Sequence, residues 1–440
     1  MKITRTEKWT LRPDTADRQT LHDTVALYQR YVRALSTVCM AHWPTIGVLA
    51  GNDVIKAVEG LIHPTAKRPS VRYRYFQNRF YKFPSYLRRS AIMDAVGQVR
   101  SFLSRYDHWQ TANDRRHKNE RPPEFGVSST FPSLYKGQCI KYTEDLSSAE
   151  IKVYKDSDWV WIRIPIKKTG KRATDLDQKR VSPQLVVTAK KVLLAVPHEQ
   201  QVTLGPKNAE VVCAVDLGVN TSITASIVRS DGTVLGRRFI RRPSDIDRLH
   251  KRLSMIRTAA TKTKRMSRGF AAKRYRKGFN IAKDSAHQMT RELVEFARSH
   301  GATTMVFEHL KGWRPKGPCR GLRRKFHTWL HRRIVEFTEW KWREYAGRMA
   351  FVVARGTSKY AFDGSGEVTR SVNGNYSVCR FKNGKVYNCD LNATYNIAAK
   401  FFLRGREADQ LEPGRSPGSK PRIPATLSLL WTAPAIQSAA

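Results

Sequence analysis

Apolar residues recur at helical spacing through the first quarter of the chain. One stripe comprises Leu21, Val25, Tyr28, Val32 and Leu35. A second stripe runs from Ala91 to Leu103. Because side chains three and four positions apart share one face of a helix, the pattern predicts helices within residues 21–112. A short strand is expected before them, within residues 1–20.

Residues 113–205 change to a β pattern. The segment Trp159–Ile164 alternates apolar and polar residues and carries β-branched and aromatic side chains, which is typical of strands. The same features predict strands at Ile140–Tyr142, Ile151–Tyr154, Trp159–Pro165 and Leu185–Val196. We therefore expect a β-barrel or a small sheet domain here.

From residue 206 onward the pattern is mixed α/β. Strands are predicted at Val211–Asp216, Thr221–Arg229, Thr233–Ile240, Thr304–Phe307 and Met349–Val353. Helices are predicted at Asp284–Ser299 and Leu391–Leu403. Residues 356–386 are rich in loops, and the tail 405–440 is rich in Pro, Ser and Gly, so we expect it to be disordered.

The charge balance narrows the class of protein. The 440 residues carry 80 Lys and Arg against 37 Asp and Glu, a net charge of +43. So large an excess requires a polyanion, and nucleic acid is the natural candidate. There is no apolar run long enough for a membrane span, no apolar segment of the secretory type at the N-terminus and no dense cysteine framework. These features predict a cytoplasmic, nucleoid-associated protein with no membrane partner.

Two stretches, Lys67–Arg89 and Leu322–Tyr345, combine basic and aromatic residues, a combination that favours nucleic-acid binding because rings stack on bases and cations bind phosphates. A third, Arg237–Lys277, is strongly basic. Our candidate nucleic-acid-binding residues in them are Arg72, Arg74, Tyr75, Arg79, Arg88, Arg265, Arg268, Lys273, Arg274, Arg276, Lys277, Arg323, Arg324, Lys325 and Trp329. The alternative is a set of helices that bury their rings and leave the cations in water. The sequence leaves both open, ring by ring.

Three carboxylates stand at positions that are usually apolar. Asp216 ends the run Val211–Val215, Glu308 follows Phe307, and Asp390 opens an apolar helix. Burying one carboxylate costs free energy unless a cation or donor compensates it. A single such acid is more often structural, but three in one α/β unit suggest a shared cation. Carboxylate oxygens suit Mg²⁺, and two Mg²⁺ ions held in this way support phosphodiester hydrolysis.

These acids lie in motifs that resemble a known family. The segment Ala214–Asn220, the segment Val306–Leu310 and the segment Asp390–Ile397 resemble, in order, the three RuvC motifs of the TnpB family and of the related compact type V CRISPR effectors. The resemblance spans about residues 1–403 and is much less specific in the N-terminal part.

The resemblance implies a multidomain α+β protein. Its parts would be a wedge strand (1–20), an α-helical recognition domain (21–112), a β-barrel wedge domain (113–205), and an α/β RuvC domain of RNase H-like fold (206–355 with a basic helical insert, and 387–404). A degenerate zinc-ribbon insertion (356–386) would interrupt the RuvC domain.

The resemblance also implies the activity of an RNA-guided DNA endonuclease. Asp216, Glu308 and Asp390 would be the catalytic residues and the ligands of two Mg²⁺ ions. A guide RNA and a target double-stranded DNA would be its partners, and base pairing would read the target. Asn392 and Asn396 either order this site or the bound strand, or simply pack within their helix.

This chain departs from the family's pattern in the zinc ribbon. The family has two Cys-x-x-Cys pairs, the first after a Thr-Ser. In this chain Thr357-Ser358 is followed by Tyr360 and Asp363, and the second pair reads Cys379 and Lys382. Because structural zinc takes four ligands, we expect none here.

Two other functions stay open. The first is RNA-guided DNA binding with weak or no cleavage, which blocks transcription or recruits a partner. The second is a transposase or integrase of the DDE type, which expects the order Asp, Asp, Glu rather than the Asp, Glu, Asp of this chain.

Overall fold

A computed structural model of the chain describes residues 1–112, 122–126, 130–167, 179–218, 222–264, 269–310, 330–372, 375–409 and 424–431. The chain divides into two compact units, Lys2–Gln201 and Val202–Ala440, and Met1 belongs with the second. No helix in the described ranges is long and apolar enough to cross a membrane.

The first unit begins with a strand and continues with helices. The helices are α1 (Thr15–Ala41), α2 (Trp43–Ile46), α3 (Gly51–Ile62), α4 (Tyr75–Arg79) and α5 (Ser85–Gln110). Asp14 caps α1 because its carboxylate accepts a hydrogen bond from the Asp17 amide at 2.7 Å. The two predicted stripes, from Leu21 and from Ala91, are both buried in one apolar core.

The strands of the first unit form one sheet. They are β1 (Lys2–Leu11), β2 (Ile140–Tyr142), β3 (Ser148–Lys155), β4 (Asp158–Lys167), β5 (Lys179–Arg180), β6 (Gln184–Val187) and β7 (Val192–Gln201). Their order is β2-β3-β4-β1-β7-β5, with β6 also on β7. The single strand predicted at Leu185–Val196 is wrong. It is a hairpin of β6 and β7, closed by a hydrogen bond from the Thr188 amide to the Lys191 carbonyl.

The second unit is built on a mixed five-stranded sheet. Its strands are β8 (Val211–Asp216), β9 (Ile223–Arg229), β10 (Val234–Ile240), β11 (Thr304–Glu308) and β12 (Arg348–Val352). The order is β10-β9-β8-β11-β12. The first three strands pair antiparallel, whereas β8, β11 and β12 are parallel. The carboxyl ends of β8 and β11 therefore meet at one end of the sheet.

Helices cover this sheet. They are α6 (Pro243–Thr263), α7 (Ala272–Ser299), α8 (His331–Arg343) and α9 (Cys389–Asp409). Residues Met289 and Leu293 of α7 pack with Val215 and Phe307 on one side. Tyr395 and Ala398 of α9 pack with Ala214 and Val306 on the other. The sheet thus has an apolar core on each face.

Between β12 and α9 lies a small three-stranded sheet, formed by β13 (Thr369–Val372), β14 (Asn375–Arg380) and β15 (Val386–Asn388). Of the tail 405–440, for which disorder is expected, the structure describes residues 405–409 and 424–431, and the remainder lies outside the described residues. Helix α9 continues to Asp409, and a short helix α10 (Ser428–Trp431) follows, with Leu427 and Leu430 buried against Phe362 and Phe381. Apolar burial orders this segment despite its Pro- and Ser-rich surroundings.

Candidate active site

The three acids of the sequence motifs come from three elements of the second unit. Asp216 is the last residue of β8, and Glu308 is the last residue of β11. Phe307 pairs with Val215 in the parallel ladder. Since each acid is the next residue on its own strand, the two acids lie at the same end of the sheet. Asp390 lies in the first turn of α9, where the Asn388 side chain accepts hydrogen bonds from the amides of Asp390 and Leu391.

The acids are close enough to affect one another. Burial raises the pKa of Asp216 well above its ordinary value, and the negative charges of Glu308 and Asp390 raise it further. The guanidinium of Arg370 and the amide of Leu217 act in the opposite direction. The fold therefore brings two other carboxylates close to Asp216, and Arg370 and the Leu217 amide offset their repulsion only in part.

Burial also raises the pKa values of the other two acids. For Glu308, the Thr357 hydroxyl and the cations of Lys400 and Arg370 oppose that rise. For Asp390, Arg370 and Arg241 oppose it. Arg370 is thus the cationic neighbour common to all three acids, Lys400 is specific to Glu308, and Arg241 is specific to Asp390.

Thr357 contacts Glu308 directly. Its hydroxyl donates a hydrogen bond to the Glu308 carboxylate, and the carbonyl oxygen of Ala354 lies 2.8 Å from the same hydroxyl. Thr357 is fully buried, so no water competes for its proton. In the sequence, Thr357 marks only the start of the altered zinc ribbon, and its role at Glu308 could not be inferred from that motif.

The loop that carries Thr357 is held from α9. Asn396 donates through Nδ2 to the carbonyl oxygens of Thr357 at 2.9 Å and Tyr360 at 2.8 Å. Asn392 donates to the Tyr360 carbonyl and accepts from the Phe362 amide, each at 2.8 Å. Both asparagine side chains are fully buried. Of the roles that the sequence left open, the structure shows loop ordering.

Lys400 ties a second part of the same loop to α9. Its ammonium donates to the carbonyl oxygens of Val353, at 2.8 Å, and of Arg355. Burial lowers the pKa of Lys400, and the charge of Glu308 opposes that shift. Lys400 therefore anchors the loop beside the acid that Thr357 contacts.

Arg370 is the site residue that sequence reasoning missed most clearly. It lies on β13 and donates to the carbonyl oxygen of Ser358 at 3.1 Å. Its positive charge lowers the pKa values of Asp216, Glu308 and Asp390. No local pattern distinguishes it from the chain's many other arginines, because its place near the acids depends on how the insert folds back on α9.

The acids do not form a ready metal cage. In the parts of the chain that the structure describes, no group of three or more His, Cys, Asp or Glu side chains is arranged to hold a metal ion. The ligand type nevertheless fits Mg²⁺, because carboxylate oxygens are the ligands that this ion prefers, and the charges of Glu308 and Asp390 act on Asp216.

The residues at the zinc-ribbon positions make other contacts. The carboxylate of Asp363 accepts from the Ser365 amide and from Asn383 Nδ2, both at 3.0 Å. The sulfur of Cys379 lies 3.5 Å from the carbonyl oxygen of Tyr387. These contacts do not fit a zinc site, and apolar packing around Phe362 and Phe381 occupies the middle of the insert.

Comparisons with known proteins bear on this fold. A family model described as the Aq_aa04 family matches residues 5–155, less than half of the chain. The search of curated proteins finds no match. The solved structure of a Cas12f1–sgRNA–target DNA complex is similar with a TM-score of 0.52 at 13% identity, covering 87% of this chain and 82% of that chain.

This chain has a fold similar to that of Cas12f1. At 13% identity, the likeness shows the fold alone. C2c1 of Alicyclobacillus acidoterrestris in complex with single-guide RNA has a TM-score of 0.47 at 10% identity, covering 87% of this chain and 69% of that chain. CasPhi-2 (Cas12j) bound to crRNA and phosphorothioate-DNA has a TM-score of 0.42 at 10% identity, covering 90% and 91%.

Within this effector fold, most of the described candidates for nucleic-acid binding lie at the surface. Those exposed to solvent are Arg72, Arg74, Tyr75, Arg79, Lys273, Arg274, Arg276 and Lys277. By contrast, Phe76, Phe80 and Phe83 are buried around Tyr31, so these rings belong to the core. In this basic-aromatic stretch, the exposed residues therefore fit nucleic-acid binding, whereas the buried rings fit packing in the core.

Arg88 differs from the other candidates. It is only 8% exposed, and its Nε lies 3.0 Å from the Glu59 carboxylate. This placement gives Arg88 a structural partner within the protein and does not favour a phosphate contact. The candidates Arg265, Arg268, Arg323, Arg324, Lys325 and Trp329 lie outside the described residues.

Proposed function

We propose that this protein is an RNA-guided DNA endonuclease whose active site is formed by Asp216, Glu308 and Asp390. The observation that carries the proposal is the convergence of these three acids, which are far apart in sequence, with raised pKa values and mutual repulsion. Perturbed carboxylates that cluster in this way are typical of catalytic sites. Within the effector fold, this corresponds to the RuvC, RNase H-like part that the sequence motifs predict.

The same acids are the ligands that we propose for two Mg²⁺ ions. Bound there, the metal ions would activate water and stabilise the leaving oxygen of a phosphodiester. Thr357 holds Glu308 in place through its hydroxyl, and Asn396 and Lys400 hold the loop that carries Thr357. Arg370 supplies positive charge beside all three acids, which favours an anionic substrate.

Guide RNA and target double-stranded DNA are the proposed partners. The net charge of +43 and the exposed cations of α4, its flanking residues and α7 provide for phosphate contacts. The similar Cas12f1 structure is a complex with sgRNA and target DNA. We propose that base pairing with the guide selects the target here too, beside a short flanking motif that the protein reads.

The test begins with expression of the gene with its native flanks and sequencing of the RNA that copurifies. Double-stranded DNA complementary to that RNA, with randomised flanking sequence, is then incubated with the protein and Mg²⁺. We expect cleavage by the wild type and none by Asp216→Ala. The matched control is Asp247→Ala, which removes an exposed acid from α6.

The other outcomes point to different functions. If the wild type binds this DNA tightly but leaves it intact, the RNA-guided binding function without cleavage replaces the endonuclease. If Asp216→Ala cleaves as fast as the wild type, the acid site is not the active site. A heterogeneous mixture of copurified RNA would contradict the guide.

A further inference from the structure

An exposed aromatic residue lies in the same cross-strand row as Asp216. In the antiparallel ladder, Asp216 on β8 pairs with Thr224 on β9. Thr224 in turn pairs with Phe239 on β10, which is the edge strand of the sheet. Paired residues on neighbouring strands point to the same face, and two strand spacings amount to about 10 Å. Phe239 therefore lies on the edge strand, in the same row as Asp216.

The side chains of β10 confirm which face this is. Arg237, two residues before Phe239, donates through Nε to the hydroxyl of Tyr395 on α9. Residues two apart on a strand share a face, so Phe239 points to the side of the sheet that α9 covers. That is the side on which Asp390 begins α9. Ile240, which points the other way, is buried in the opposite core.

Arg241 completes the group. It is exposed at the end of β10, and its guanidinium carbon lies 5.3 Å from the centre of the Phe239 ring. Its positive charge also acts on the carboxylate of Asp390. An exposed ring and an exposed guanidinium thus lie together on the edge strand, in the row that leads to Asp216.

A single exposed aromatic side chain is ordinary on a protein surface. Phe351 on β12 is such a residue. It is 39% exposed, Phe239 is 37% exposed, and Phe351 lies on the opposite edge strand. Phe351 pairs with Phe307, whose side chain packs in the core of the other face, away from Asp216. Phe239 differs because it shares the row and face of the acids and has a cation beside its ring.

We propose that Phe239 and Arg241 form a nucleotide subsite for single-stranded DNA at the entrance of the acid site. The ring of Phe239 stacks on one base, and the guanidinium of Arg241 binds a phosphate of the same strand. Stacking tolerates any base, because every base has a π-face, whereas the guanidinium positions the backbone. The subsite presents the strand to the acids without reading its sequence. This inference rests on the proposed nuclease function.

The first test measures cleavage of short single-stranded DNA by the complex of protein, copurified RNA and complementary DNA. The oligonucleotides have the same sequence, each with an abasic site at a different position. For the wild type, we expect one position at which loss of the base slows cleavage. Phe239→Leu should slow cleavage of intact DNA roughly fivefold or more and abolish the dependence on that base. Phe239→Tyr should retain both properties.

Phe351→Leu is the matched control, since it makes the same change at a similarly exposed position, and it should behave as the wild type. Arg241→Gln should lower the rate at every sequence and reduce the salt dependence of oligonucleotide binding by about one phosphate contact, and Arg241→Lys should restore part of both. If Phe239→Leu keeps the wild-type rate and the wild-type dependence on the base, the subsite is refuted.

The second test separates the subsite from the nuclease function. The complex is irradiated in EDTA with oligonucleotides that carry 5-iodouracil, and the cross-linked residue is identified by mass spectrometry. A cross-link at Phe239 that Phe351→Leu retains supports the subsite even if the wild type cleaves nothing, in which case only the nuclease function fails. Cleavage without a cross-link at Phe239 and without dependence on a base refutes the subsite and leaves the nuclease function standing.

Discussion

The hydroxyl of Thr357 donates a hydrogen bond to the carboxylate of Glu308, across 49 residues of sequence. The donor is fully buried, and Asn396 holds its backbone carbonyl at 2.9 Å. This hydrogen bond favours one orientation of the Glu308 carboxylate, as the proposed role in metal binding requires. Partners of this kind around metal ligands have large effects on metal affinity and on activity.

Thr357→Val removes the hydroxyl and keeps the size of the side chain. We expect it to lower the cleavage rate roughly tenfold to a hundredfold and to raise the Mg²⁺ concentration required for half-maximal rate. Thr357→Ser keeps the hydroxyl and should restore most of the activity. The measurement is a Mg²⁺ titration of cleavage by the three proteins. Equal Mg²⁺ requirements for wild type and Thr357→Val would contradict the positioning role.

Asp216→Asn should stabilise the metal-free protein. The substitution removes one of three carboxylates that repel each other, so we expect a higher Tm in EDTA, by a few degrees for about 1 kcal/mol. It should also reduce the rise of Tm that Mg²⁺ produces in the wild type, because that rise comes from binding to the folded state. Thermal unfolding with and without Mg²⁺ tests both effects. The control is Asp247→Asn, which should leave both Tm values unchanged. A lower Tm for Asp216→Asn than for the wild type in EDTA would contradict repulsion among the three carboxylates.

The three raised carboxyl pKa values predict the pH dependence of stability without metal. Their folded pKa values lie above the unfolded ones, so the folded state binds more protons. Stability from these groups is therefore full below the unfolded pKa of about 4 and is lost as the pH rises through the folded pKa values. We expect the free energy of unfolding of the wild type in EDTA to fall relative to Asp216→Asn as the pH rises above about 4. A difference that stays constant between pH 4 and pH 8 would exclude the raised pKa of Asp216.

Zinc should make no contribution to the stability of the insert. The side chains at the ribbon positions bond elsewhere or, like Lys382, are poor ligands. We expect a zinc-selective chelator to leave the Tm unchanged. Zinc content of the purified protein, measured by atomic emission, provides an independent check. A stoichiometric zinc ion together with a large drop of Tm on chelation would overturn this prediction.

Leu430→Ala tests the packing that holds the insert instead. Leu430 is buried against the same apolar cluster as Phe362 and Phe381, so truncation should cost about 2–5 kcal/mol. Val353→Ala, at a largely exposed position of the same unit, should change stability by less than about 0.5 kcal/mol. Denaturant unfolding of both variants gives the comparison. If the two costs are equal, the segment 424–431 does not stabilise the unit.

The three acids could be singled out from the sequence because they lie in local patterns. An acid directly after a buried strand, or in the first turn of an apolar helix, is visible within about ten residues, since strand and helix periods are local. Asp216, Glu308 and Asp390 were all predicted in this way, and the strands β8 and β11 that carry Asp216 and Glu308 lie within one or two residues of the predicted bounds. The mixed α/β character of the second unit followed from the same periods.

What surrounds the acids was decided only by the tertiary structure. Arg370 reaches them because the insert folds back, and Thr357 and Phe239 join them through the loop after β12 and through strand register. Leu430 is ordered by apolar contacts that no local period announces. Contacts between residues far apart in the chain depend on which surfaces the whole chain buries together. The sequence by itself therefore determined which acids we propose as catalytic, and the tertiary structure decided which other residues contact them and compensate their charge.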